Sequence, residues 1–123
     1  MKYTKNDKIK AYLEDGYSEK IKNAEVNDLL DWWENLVSKV DKEDDVDEYI
    51  NNLTVRLAIQ EIIEFIEPEE KELFMSDLKK LDDEFISKTQ ETEKTLWNED
   101  ANRKYSSNKE KYWYYFRIPK LLI

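Results

Sequence analysis

The chain has 123 residues, of which 40% are charged and 40% hydrophobic, and a formal charge of −9. It is long enough for one core and too apolar for a disordered polyampholyte, while one Gly and two Pro leave few sites for the tight turns of a sheet protein. With neither Cys nor His, the chain has no disulfide, no thiolate nucleophile, and neither the commonest general base nor the commonest metal ligand.

These limits point to an all-α fold: a single domain over residues 1–123, built as a bundle of four or five helices with a basic aromatic C-terminal segment. Residues 1–10 are charged throughout and no apolar run approaches the roughly 20 residues of a membrane span. The expectation is therefore a cytoplasmic protein without a signal peptide or membrane contact. Charge is unevenly placed, with net +2 over residues 1–22, net −16 over residues 23–102 and net +5 over residues 103–123. So acidic a middle repels nucleic-acid backbones and steers toward cationic partners, its field reaching about 8–10 Å at physiological salt.

Within residues 5–15, Ile9, Tyr12 and Leu13 recur at i, i+3 and i+4, and Gly16 stands where the left-handed residue that ends a helix belongs. A first short helix is predicted there. Residues 18–23 suit a turn and a further helical segment equally. Over residues 25–40, Val26, Leu29, Leu30, Trp33, Val37 and Val40 form the clearest amphipathic stripe of the chain. Trp32 and Leu36 lie on its edge, so one of the two adjacent tryptophans is half exposed. Trp32 is either boundary packing or an anchor for a partner.

Residues 41–48, DKEDDVDE, alternate acids as a calcium loop does, but Val46 stands where that loop needs Gly and Asn52 where it needs a bidentate Glu. The segment reads better as a loop and helix start, with Asp44 or Asp45 as cap and Asp47 and Glu48 beside the positive end of the helix dipole. Val46, Tyr49, Ile50 and Leu53 then lead at helical spacing into residues 53–66, LTVRLAIQEIIEFI, which is apolar nearly all round. This run is expected to be the central helix of the bundle. Gln60, Glu61 and Glu64 group on one side as its wet strip, and a kink is predicted near Asn52, because the adjacent Asn51 and Asn52 compete for backbone hydrogen bonds.

Arg56 has no acid at helical spacing on its own helix. A partner must come from elsewhere, and the nearest supply is Asp82, Asp83 and Glu84. Asp82 and Asp83 are the candidates for a structural ion pair with Arg56, a clamp between two helices; a ligand-holding guanidinium is the other use of the same residue. Pro68 suits the first turn of the next helix, Glu69, Glu70 and Glu72 suit its dipole, and Phe74, Leu78, Leu81 and Phe85, joined by Leu73 and Ile86, give it an apolar stripe. That helix is expected to lie antiparallel to the central one and to fade over residues 89–92. Residues 91–108 read as a long loop with a helical turn within 95–105, tacked down by Trp97.

The chain closes on KEKYWYYFRIPKLLI, where Tyr112, Trp113, Tyr114, Tyr115 and Phe116 follow one another and Lys109, Lys111, Arg117 and Lys120 interleave. Five successive aromatics cannot all enter one core. Either Trp113 and Phe116 dock while the tyrosines span the boundary, or the segment is an arm that meets a partner. Residues 47–56, DEYINNLTVR, together with residues 78–85, LKKLDDEF, and this basic aromatic end, resemble a family of small acidic helical bacterial proteins. The resemblance covers about a third of the chain; it implies a helical fold and carries neither an activity nor a site residue.

Catalysis would have to rest on carboxylates alone. A magnesium site between Glu61 and Glu64 on one helix and Asp82, Asp83 and Glu84 on another can be drawn, but acidic helix surfaces generate such pairs by chance. The reading is of a non-enzymatic module without cofactor or metal that binds a protein with a basic surface, such as a toxin neutralised by an immunity or antitoxin protein. Trp32, Glu61, Glu64, Tyr114, Tyr115 and Arg117 are the partner-binding candidates. The alternative is a nucleic-acid accessory protein working through the basic aromatic tail, which the overall negative charge disfavours.

Overall fold

A computed structural model describes residues 2–96 and 99–123 of the chain. It is a mostly helical fold of six α-helices and one small sheet among those residues. Helix α1, Asp7–Leu13, begins at Asn6, whose side chain accepts from the Ile9 amide at 2.9 Å and donates to the Phe65 carbonyl at 2.7 Å. One asparagine thus caps a helix and ties it to a distant turn. Beyond α1, Gly16 takes φ +93°, a conformation that costs any residue with a Cβ. Gly16→Ala is expected to lower the unfolding free energy by about 1 kcal/mol in urea titration, although no atom of the described residues crowds the added methyl.

The segment that suited turn and helix equally is a single helical turn, α2, Glu19–Lys22, capped by Ser18. Helix α3, Val26–Lys39, follows, its Glu25 amide donating to Asp28 at 3.0 Å in the first turn. The predicted stripe is its buried face, with Val26, Leu29, Leu30, Trp33 and Val37 inside and Val40 buried just beyond. A 3-10 turn, Val40–Lys42, leads to helix α4, Val46–Ile62, capped by Asp45 through the amides of Asp47 and Glu48.

Two expectations for α4 fail. The helix is unbroken at Asn51 and Asn52, because Tyr49 and Leu53 are both buried on the core side and Tyr49 is further held by a 2.8 Å hydrogen bond from its hydroxyl to the Arg117 carbonyl. Anchors on each side of the asparagines outweigh their competition for backbone groups. Nor does α4 take α5 as its close neighbour. It ends in a 3-10 turn, Ile63–Phe65, and the long helix α5, Pro68–Lys88, makes its closest backbone approach to α3 instead. Helix α3 is the element that both α4 and α5 lie against, and a groove is left open between the latter two.

Beyond α5 the predicted long loop holds more structure than expected. Strand β1, Thr89–Glu91, pairs antiparallel with β2, Arg117–Pro119, placing Thr89 opposite Pro119 and Glu91 opposite Arg117. Between them lies helix α6, Glu99–Ser106, which buries Ala101 and Tyr105; Trp97, the expected tack, lies outside the described residues. The core is strongly aromatic. Phe85 sits with its ring centroid 4.9 Å from that of Trp33, 6.0 Å from Trp113 and 6.5 Å from Tyr49. At the other end of α5, Tyr3 is buried edge-on to Phe74 and its hydroxyl donates to Asp77, strapping the N-terminal segment along the helix.

Candidate interaction surfaces

Arg56 lies at the meeting point of α3, α4, α5 and the C-terminal aromatics. Its Nε and Nη2 donate to the two oxygens of Asp82 at 3.0 and 2.8 Å, and its Nη1 donates to Gln60 at 3.2 Å. The fork geometry is the strong form of the pair, and the residue is only 3% exposed against 14% for the aspartate side chain. Asp82 accepts a further 2.9 Å bond from the Trp33 indole. Above the guanidinium stands the Tyr114 ring, 4.8 Å away, with the rings of Trp113 and Trp33 at 5.8 and 6.0 Å. Pairing a cation this completely leaves it little capacity to hold a ligand anion.

Asp83 does not join that clamp. It points outward and pairs with Lys79 at 2.8 Å, one turn earlier on α5, holding the lysine ammonium above its ordinary pKa. Of the partner-binding candidates, Tyr114 and Tyr115 are corrected outright: both are buried, in a 3-10 turn, Trp113–Phe116, that turns its aromatics inward. Burial pushes both phenols well above their usual range. The expected docking of Trp113 with wet tyrosines is reversed, since Trp113 stays half buried at the surface. An arm that stacks bases needs open aromatic faces, and these are closed. Arg117 is likewise structural, donating from Nε to the Thr89 hydroxyl at 2.7 Å and from Nη2 to the carbonyls of Thr89 and Ile86, which secures the end of α5.

Trp32 is half buried on the boundary of the core, with Lys20 Nζ 4.4 Å over its ring. Glu61 accepts from the Tyr112 hydroxyl at 3.3 Å and lies 3.9 Å from Lys111, so it holds the tail to α4, whereas Glu64 is exposed. Glu61 and Asp82 are thus committed to different partners. Among the described residues no three carboxylates converge as a metal site requires.

Two open surfaces bear on binding. The first is the loop and helix start over residues 41–48, where six carboxylates stand against Lys42 and only Asp41 has an ion-pair partner among the described residues, Lys88 at 4.0 Å. Partial burial, then the charges of Glu48, Asp44 and Asp45, raise the Glu43 carboxyl above its usual pKa in spite of the Asp45 amide that it accepts from. The second is the groove between α4 and α5, about 690 Å³, floored by Leu78 and the Arg56–Asp82 pair and edged by Met75 and Ile86. Sequence reasoning missed it. Its only sign was Met75, an apolar residue off the inward stripe of α5, because Ile86, like Leu73, reads as a member of that stripe and yet both side chains are exposed.

No protein-family model matches the chain, and neither a curated protein nor a solved structure does.

Proposed function

We propose that this chain acts without catalysis, by binding a protein with a basic surface, in the manner of a neutralising partner of the immunity or antitoxin sort. The observation that carries this reading is the acidic edge over residues 41–48, where Asp44, Asp45, Asp47 and Glu48 are exposed and no cation of the chain is within ion-pair distance of them among the described residues. Uncompensated charge of one sign is costly for a free protein and is removed when an opposite surface arrives. Helix α4 carries that edge rigidly, since Asp45 caps it and Tyr49 anchors it.

Proteins retained from the native lysate by the purified chain should be basic. Their association rate should fall about tenfold or more between low and physiological salt, and Asp44→Asn with Asp47→Asn should flatten that dependence, since rim charges act chiefly on encounter. Both positions are exposed and neither supplies the α4 cap, so the variant stays folded. Association that ignores salt, or a retained partner without a basic surface, would remove the reading.

A further inference from the structure

We infer that the groove between α4 and α5 receives one amphipathic helix of the partner, with an apolar stripe and cationic flanks. This deepens the basic-partner reading and rests on it. Met75 and Ile86 are each 42% exposed and lie at i and i+11 on α5, so they mark one face over a length of about 16 Å. That is three turns, the span over which a helix offers anchors at i, i+4, i+7 and i+11 to a groove. Ile63, in the 3-10 turn that follows α4, forms the facing apolar wall, Leu78 the floor and Trp113 the far end. An exposed methionine at the mouth is the adaptable contact that helix-binding grooves employ.

Charge selects the occupant. Among the described residues, the two cations that line the groove are already spent on its own acids, Arg56 on Asp82 and Lys79 on Asp83, each at 2.8 Å. Glu72 is the lining charge left without an ion-pair partner among the described residues. An acidic helix would meet that carboxylate and the field of a chain at −9, and a second copy would bring another −9 against it. A lysine-flanked helix meets neither cost.

The test uses three labelled synthetic peptides of about five helical turns. One has leucines at i, i+4, i+7 and i+11 with lysines on the flanks, one has the same stripe with glutamates, and one has the lysine composition scrambled. The first should bind one to one by fluorescence anisotropy, and the other two about tenfold more weakly or worse. Met75→Glu and Ile86→Glu, both at exposed positions and checked for helix content by circular dichroism, should each weaken it by about tenfold or more. No binding of the first peptide, equal binding of the scrambled or acidic one, or binding indifferent to both variants overturns the groove. So does a dimer in sedimentation that Ile86→Glu dissociates, since a second copy then fills it. If instead Asp44→Asn with Asp47→Asn weakens the lysine peptide and the groove variants do not, the groove fails while the acidic edge stands.

Discussion

Replacing Asp82 by Ala is expected to lower the unfolding free energy by about 3–5 kcal/mol, the cost of orphaning a buried charge. Arg56 is nearly inaccessible to water, and its Nε and Nη2 would lose both acceptors at once. The Trp33 indole would lose its acceptor as well. Arg56→Met should cost less, because the carboxylate left behind is the more exposed partner and keeps the indole bond, and because a methionine retains much of the contact with the Tyr114 and Trp113 rings. The double variant Arg56→Met with Asp82→Asn removes both charges while leaving an acceptor for Trp33, and should recover a large part of the loss of Asp82→Ala. Urea unfolding of the set measures the coupling directly. Two single variants of equal, small effect, or losses that simply add, would mean that the pair is solvated and that the clamp does not exist.

That the partner is Asp82 and not Asp83 was within reach of the sequence. On α5 the inward positions are Phe74, Leu78 and Phe85, and Asp82 stands one turn beyond Leu78 on the same side, whereas Asp83 is rotated by a further helical step toward water. The helices themselves were legible for the same reason. A period of 3.6 is repeated often enough in α3 and α5 to outweigh any local ambiguity, and Pro68 and Asp45 mark the starts. The sheet was not legible, since three-residue strands show no alternation and pair across a connection that contains α6. An apolar run such as residues 53–66 does not by itself mean burial on every side. The surplus apolar residues Val55 and Leu57 of α4, and Ile63 in the turn beyond it, are only partly buried, and Ile63 lines the open groove. Nothing local says which neighbour α5 will choose, and the groove exists only because it chose α3. The tail misled for a different reason. Tyrosine usually keeps its hydroxyl wet, and here a 3-10 turn followed by a strand takes Tyr114, Tyr115 and Phe116 inside while the less polar Trp113 stays at the rim.

Those buried tyrosines carry the second large effect. Above pH 10 the fold is expected to lose stability steeply, by about 4 kcal/mol per pH unit if Tyr49, Tyr114 and Tyr115 all hold their protons, since each contributes about 1.4. Burial raises all three phenols well beyond their ordinary pKa, and the nearby guanidiniums, Arg117 for Tyr49 and Arg56 for Tyr114, only partly offset it. The unfolded chain releases these protons near pH 10 while the folded chain keeps them. Stability from this source is therefore complete below pH 10 and lost as pH rises toward the folded values. Urea unfolding from about pH 8 to pH 11, with tyrosinate absorbance followed in parallel, measures it. Titration of all eight phenols near pH 10 in a chain still folded would contradict the burial. Tyr114→Phe and Tyr49→Phe should then part company at neutral pH. The Tyr114 hydroxyl has no hydrogen-bond partner among the described residues, so its removal should be neutral or stabilising and should shallow the alkaline slope by about 1.4 kcal/mol per pH unit. The Tyr49 hydroxyl donates to the Arg117 carbonyl, so Tyr49→Phe should cost about 1 kcal/mol before any alkaline gain, and leave that carbonyl seeking another donor at the edge of the sheet.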